Sequence, residues 1–400
     1  MLASDFDYHL PPELIAQTPV HPRDAARLLQ LQRASGTLSH HVFFDLPDLL
    51  RAGDLLVFND TRVLRARLRG HKIGENGEVG GRVEALLLRE HKPDVWEVLL
   101  KPSARLRPQT PLLFVSGDGS TQVRATPLQR TEEGWLLQFL VPDGHLGREL
   151  LHRLGEVPLP PYITARTSTE DDYQTIYARQ DAASSTRYGE EAPNAKPHAL
   201  ESAAAPTAGL HFTPELLNRL QERGVESCAV TLGIGIGTFR PMKTENLEDH
   251  VMHREAYEIS PHTAARIAQQ KRRGGRIVAV GTTTVRVLES AARAAKNGAA
   301  SDVSTSSEED GAIVRSGWAQ TDIFIRPGHQ FQVVDALITN FHLPRSTLLV
   351  MIAAFAQATS TPQEKPENSS AGLSLIRAAY EEAVRQDYRF FSFGDAMLLD

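Results

Sequence analysis

Between residues 62 and 141 apolar and polar side chains alternate with a period of two, and no stretch shows the three-to-four spacing of a helix. Neighbouring side chains of a strand point to opposite faces, so this alternation marks strands with one face in a core. Six short segments carry it, 62–69, 82–89, 95–100, 111–115, 121–126 and 135–140, with Gly, Pro and Asp between them. Such spacing predicts a small antiparallel six-stranded β-barrel.

On both sides of this region the texture changes, and from residue 213 to 292 helices and strands alternate with marked ends. Thr213-Pro214-Glu215 supplies a capping hydroxyl, a first-turn proline and an acid at the positive end of a helix that Gly224 closes, and 226–232 follows as a strand. Ser260-Pro261 opens a second helix ended by Gly274-Gly275. Residues 276–280 then form an apolar strand, and Gly281-Thr282-Thr283-Thr284 opens a third helix reaching about Lys296. The fold class expected is multidomain α/β. A larger, discontinuous α/β domain comprises residues 1–61 and 152–400, and the barrel is inserted into it as residues 62–151.

Residues 182–204, 297–310 and 359–371 interrupt the pattern; rich in Ala, Ser, Pro, Glu or Asn, they read as mobile surface insertions. No fixed-period repeat is present, which excludes solenoids and propellers. The chain has 400 residues and 41% hydrophobic content, enough to fill the cores of about two to four folded units. Forty-three Lys and Arg against forty-nine Asp and Glu give a net charge of -6. A protein that coats nucleic acid is thereby excluded, and any such contact must come from a local basic surface. The single Cys228 can form neither an intrachain disulfide nor a thiolate zinc cluster, which points to a reducing compartment. Asp5, Asp7 and Glu13 do not suit a secretion signal, and the longest apolar run, 348–356, falls short of the ~20 residues that cross a bilayer. A cytoplasmic protein without membrane contact is expected.

Several strings could carry chemistry. Gly233-Ile234-Gly235-Ile236-Gly237 follows a strand and resembles a nucleotide or methyltransferase glycine loop. Both of those need a helix at the last glycine, whereas Thr238-Phe239-Arg240-Pro241 continues extended, so a tight turn competes with ligand binding by Gly235 and Gly237. At the strand-to-helix junction before Arg286, three consecutive threonines are poor helix formers, and capping needs only one of them. Thr282 and Thr283 are therefore candidate ligands for a phosphate or carboxylate. The loop of small residues 205–213 offers Thr207 and Gly209 for close approach and His211 for proton exchange, with a structural imidazole as the competing reading. Asp60 and Arg62 sit where a strand leaves for the barrel and could pair with each other or hold a ligand. His250, His253 and Glu255 have the wrong order for a zincin site, and no metal is expected. Thr339-Asn340-Phe341-His342 ends a strand with polar side chains that core filling does not explain, which makes Asn340 and His342 site candidates. Phe390, Phe391 and Phe393 alternate as in a core strand, with the role of Asp395 open. Arg65, Arg67 and Arg69 would share one face of the first barrel strand and could meet phosphates, or form a solvated face.

Taken together, Asn59-Asp60-Thr61-Arg62-Val63, Tyr173-Gln174-Thr175-Ile176-Tyr177-Ala178 and the segments 204–213, 280–283, 322–328, 339–349 and 388–397 resemble one family nearly end to end, the S-adenosylmethionine:tRNA ribosyltransferase-isomerases of queuosine biosynthesis. The resemblance implies an α/β domain with a small inserted barrel. It implies transfer of the ribosyl part of S-adenosylmethionine to the aminomethyl group of a 7-deazaguanine at the tRNA wobble position. The ribose rearranges to an epoxycyclopentane, adenine and methionine leave, and the product is epoxyqueuosine-tRNA. S-adenosylmethionine is then a consumed substrate and not a cofactor, the partners are tRNA and S-adenosylmethionine, and a monomer with no obligate protein partner is expected. His211 is the first candidate for proton transfer, followed by Glu255 and His342. Asp60 and Arg62 would orient ligands between the domains, and Thr282 with Thr283 would hold the methionine carboxylate. The sequence departs from the family pattern at Gly233, where a His is expected, so a His there is not a required catalyst in this chain. Alternative readings are a non-catalytic RNA-binding protein and an S-adenosylmethionine-dependent methyltransferase.

Overall fold

The structure is a computed structural model that describes the chain apart from residues 75, 105, 142–143, 145, 166–168, 170, 180–201, 236–241, 297–311 and 358–369. Gly237 and most of the three low-complexity stretches therefore lie outside the described residues. The tail of the first stretch does not match its expected mobility. Ser202 and Ala204 are buried, and the Ala203 amide donates to the Ile234 carbonyl at 2.9 Å.

Among the described residues fifteen strands and seven α-helices follow one another. First come β1 (Arg27–Gln32), β2 (Thr37–Val42), α1 (Leu46–Leu49) and β3 (Leu55–Asn59). Then follow β4 (Arg67–Ile73), β5 (Val79–Lys92), β6 (Val95–Lys101), β7 (Leu112–Val115), β8 (Gln122–Arg130) and β9 (Trp135–Leu140). After these come α2 (Arg148–Leu154), α3 (Pro214–Glu222), β10 (Glu226–Leu232), β11 (Glu255–Ile259), α4 (Pro261–Arg272), β12 (Ile277–Val280) and α5 (Thr282–Lys296). The chain ends with β13 (Gly317–Thr321), β14 (Ala336–Asn340), α6 (Thr347–Gln357), α7 (Ala371–Arg385) and β15 (Ala396–Leu399). The described strands form one nine-stranded sheet, ordered β13-β11-β10-β3-β12-β14-β15-β1-β2, and one closed barrel, ordered β4-β5-β6-β9-β8-β7. This is the α/β fold with an inserted antiparallel barrel that the patterning predicts.

The centre of the large sheet is parallel, β10 with β3, β3 with β12 and β12 with β14. Of these, β3, β12 and β14 are buried along their whole length, as expected where both faces are covered, while β10 is exposed at its first residues. Leu55 and Val57 of β3 face a core shared with α5, α6 and α7, while Leu56 and Phe58 face the opposite core with Leu216 and Leu220 of α3. The local end signals behave as their chemistry dictates. The Thr213 hydroxyl accepts the Leu216 amide at 3.1 Å, the Ser260 hydroxyl accepts the Thr263 amide at 3.0 Å, and Gly224 ends α3 with φ +77°.

The barrel has its own core, with Leu68, Phe114, Leu137 and Phe139 fully enclosed. Its first strand begins at Arg67 and not at residue 62. The preceding extended chain pairs with the main sheet side instead, because Ser202 donates to the Arg62 carbonyl at 3.0 Å and its own carbonyl accepts the Leu64 amide at 2.9 Å. A second difference lies at the C-terminus. Phe390 makes a single parallel β-bridge with Ile15, and residues 391–394 form a turn and not a strand, with Phe391 at φ +70° and the Asp395 carboxylate accepting the amides of Arg27 (2.9 Å) and Arg389 (2.7 Å). The aromatic rings are buried because the turn folds inward, so their alternation is not that of a strand. Among the described residues no helix is long and apolar enough to cross a membrane.

Candidate active site

In sheets with parallel centres, the carboxyl ends of the strands and the loops that follow them form a crevice. Here β10, β3, β12 and β14 end side by side. Around those ends lies a hollow open to solvent, with about 610 Å³ of space between the atoms and the mouth. Ile234 follows β10, Gly281, Thr282 and Thr283 follow β12, and Thr339 to Leu343 end β14. The loop 205–208 covers one side, and Tyr162, Ser346, Leu348, Phe391 and Ser392 complete the wall.

Asn59, at the end of β3, organises the floor. Its Oδ1 accepts the Leu232 amide at 3.0 Å and the Thr61 amide at 3.2 Å, and its Nδ2 donates to Thr283 Oγ1 at 3.2 Å. Thr283 is thus held by a neighbouring strand, while the Thr284 hydroxyl donates to the Val280 carbonyl at 2.7 Å. Neither bond caps α5, so simple capping does not account for these two threonines. Asn340 is fixed from both ends: it accepts from the Thr207 hydroxyl at 2.9 Å and donates to the Phe391 carbonyl at 3.1 Å. His342 Nε2 lies 2.8 Å from Thr339 Oγ1, and burial depresses its pKa to about 3. The ring is therefore neutral near pH 7. Tyr162 and Ser392 share a hydrogen bond of 2.7 Å, and burial raises the phenol to about 12, so it keeps its proton.

Five candidates from the sequence, Thr207, Thr282, Thr283, Asn340 and His342, thus line one hollow. The others lie elsewhere. His211 lines a smaller cleft with Arg23, Leu210 and Gly394, which touches the main pocket only through Ser392. Its Nδ1 is 3.1 Å from the Ala208 carbonyl, its Nε2 is 2.9 Å from the Gly394 carbonyl, and its ring stacks on Phe43. Burial lowers its pKa against the opposing pull of those two carbonyls and Asp395. Both nitrogens are directed at backbone carbonyls and neither at the main pocket, and the neutral ring donates to one of the two. Glu255 begins β11, where one oxygen accepts the Gly235 amide at 2.9 Å and the other pairs with Arg286. Neither Glu255 nor Gly235 lines the pocket.

Asp60 does not pair with Arg62. It accepts from Thr231 Oγ1 at 2.6 Å and meets Arg179 Nε at 3.0 Å, while the Arg62 side chain is exposed. Gly209 answers to packing, since a Cβ there would lie 1.7 Å from the Tyr177 hydroxyl. The barrel arginines also have partners inside the protein: Arg65 donates to the His152 carbonyl at 2.7 Å, Arg67 to the Leu159 carbonyl at 3.0 Å, and Arg69 meets Glu156 at 2.8 Å. His253 pairs with Glu133 of the barrel, and no group of three His, Cys, Asp or Glu among the described residues could hold a metal. Sequence reasoning missed Tyr162 and Ser392. The only pointer to Tyr162 was the Pro160-Pro161 pair before it, and Ser392 lay inside the aromatic run read as a strand.

Fold and pocket together define an α/β enzyme with a hydroxyl-lined small-molecule site at the carboxyl edge of its sheet, beside an inserted barrel. The family model described as queuosine biosynthesis protein matches residues 3–399, and the chain belongs to that family. It is 47% identical over 399 residues to a protein of Symbiobacterium thermophilum and 45% identical over 401 residues to one of Moorella thermoacetica, with all of each chain covered. Both are named S-adenosylmethionine:tRNA ribosyltransferase-isomerase. Among solved structures it is similar to an S-adenosylmethionine tRNA ribosyltransferase from Thermotoga maritima, at 33% identity over 99% of this chain and 100% of that one, with a TM-score of 0.49.

Proposed function

We propose that this chain transfers the ribosyl part of S-adenosylmethionine to the aminomethyl group of a 7-deazaguanine at the tRNA wobble position, isomerising it to epoxyqueuosine and releasing adenine and methionine. The observation that carries the reading is the pocket itself, where Thr207, Thr282, Thr283, Asn340 and His342 converge from separate segments on one hollow. Full-length identity to proteins named for this reaction supports it. S-adenosylmethionine is consumed as a substrate. The first turn of α5, with Thr282 and Thr283, receives the methionine carboxylate, because helix amides and the dipole favour an anion there.

Among the pocket-lining residues His342 carries the imidazole; burial keeps it unprotonated near neutrality, so it accepts a proton only from a group that the reaction makes acidic, and its Thr339 bond sets the ring's direction. Asn340, fixed at both ends, offers its amide to the substrate without reorganising. The tRNA is gripped through phosphates while the modified base enters the pocket, so its affinity falls steeply with salt. Such an enzyme works in the cytoplasm, where its tRNA is.

Product analysis tests this reading. Incubation with S-adenosylmethionine and tRNA carrying the aminomethyl base is expected to release adenine and methionine together. S-adenosylhomocysteine in their place would mean methyl transfer, and bound tRNA without turnover would mean a binding protein; either result overturns the proposal.

A further inference from the structure

Arg286 is a buried cation that the reading above does not use. It is 4% exposed, one amino group pairs with Glu255, and its Nε and second amino group have no hydrogen-bond partner among the described residues. A guanidinium offers five N–H donors, and leaving such donors unmet in a dry interior is costly enough that native proteins rarely do so without a ligand or water. The position of the group says which ligand. Thr282 and Thr283, four and three residues earlier on the same face of α5, both line the pocket. Helical side chains lean toward the helix N-terminus, so Arg286 points back to that turn. From the other side its partner Glu255 holds the Gly235 amide, next to pocket-lining Ile234. Its helix neighbours Thr282 and Thr283 and the Ile234 beside Gly235 line the pocket, while the guanidinium itself does not.

We propose that Arg286 is the charge that selects an anionic amino-acid tail at this site. Glu255 positions the fork through one arm, and the unmet donors, which lie behind the Thr282–Thr283 wall and not on the lining itself, receive a carboxylate together with the first amides of α5. No side chain that lines the pocket carries a formal charge at neutral pH, since His342 is held neutral by burial. Arg286 brings a full positive charge to the first turns of α5, four residues after Thr282 and three after Thr283. Glu255 is a positioning residue in this arrangement and not a proton acceptor, because both of its oxygens are engaged.

The proposal rests on S-adenosylmethionine being the substrate, and binding of two probes separates the two claims. Calorimetry of the unaltered protein compares S-adenosylmethionine with its decarboxylated analogue, which keeps the sulfonium, the amine and the nucleoside. Loss of a charge-assisted bidentate contact predicts about 30-fold weaker binding of the analogue. Arg286→Met leaves Glu255 unpaired and endangers the fold, so Arg286→Met with Glu255→Gln is the informative variant. In it the preference is expected to shrink to within about 3-fold, chiefly through weaker binding of S-adenosylmethionine. Equal affinity for the two probes in the unaltered protein, or a full preference surviving in the folded double variant, overturns the assignment. Absence of any S-adenosylmethionine binding would instead overturn the proposed function.

Discussion

In the barrel Arg69 meets Glu156 at 2.8 Å, Arg89 meets Glu97 at 2.7 Å, and Arg67 donates to a backbone carbonyl. At the carboxyl edge of the large sheet Arg286 leaves two nitrogens without an acceptor, and the threonine hydroxyls at the start of α5 turn away from capping it. Both regions carry arginine beside apolar strands, yet they differ in degree: Arg67 lacks a hydrogen bond at Nε alone and has Glu84 3.7 Å from it, whereas Arg286 lacks one at two nitrogens. Buried polar groups are expensive unless paired. Internally closed polar groups mark a region that holds shape, and an edge with open donors marks where a ligand completes the structure.

The largest expected effect breaks the barrel alone. Phe114→Ala empties a fully enclosed site and is expected to lower stability by about 3 to 5 kcal/mol. Where the variant remains folded, affinity for S-adenosylmethionine should stay within about 2-fold. Denaturant melts with calorimetry check both halves, and a matching loss of affinity would mean that the two regions are coupled.

Next comes a pair of histidines. His342→Gln is expected to reduce kcat by about 100-fold or more with little change in KM, because it removes the proton-carrying ring from the pocket. His211→Gln should chiefly lower stability, since its ring bridges two carbonyls away from the main pocket. Steady-state rates beside thermal melts distinguish them, and the reverse pattern would move the chemistry to the smaller cleft.

Acid sharpens the contrast at smaller scale. The pKa of His342 is depressed to about 3 and that of His211 is also lowered, so below about 6.5 the unfolded chain binds protons that the folded chain refuses. Stability on this account is full above about pH 6.5 and is lost as pH falls toward 3, by roughly 1 kcal/mol per pH unit for His342, with His211 acting in the same direction. His342→Gln should flatten that slope, as chemical denaturation at several pH values would show. The smallest effect is expected from Arg69→Gln. An exposed ion pair contributes about 0 to 1 kcal/mol, so tRNA affinity and melting should barely change; a large loss of tRNA binding would make the barrel strand a phosphate contact after all.

How far the sequence reveals this depends on the distance over which each feature is decided. Thr213 and Ser260 cap their helices through amides three residues away, so both starts were legible, as was the six-strand alternation of the barrel. The start of β4 was not, because residues before Arg67 pair with Ser202, which lies far along the chain. The same holds in the site. Thr282, Thr283, Asn340 and His342 betrayed themselves as polar side chains at strand ends. Asp60 found Arg179 and Thr231, Glu255 found Arg286, and Gly209 found Tyr177, all partners that no local pattern names. Ser392 was hidden by an aromatic alternation that turned out to be an inward-folded turn.

A crystal structure of the protein with S-adenosylmethionine bound tests the central claim most directly. The account expects the ligand at the carboxyl ends of β10, β3, β12 and β14, with its carboxylate at the first turn of α5 and its sugar within reach of Asn340 and His342. Ligand seated instead in the cleft beside His211, or on the barrel, would contradict it.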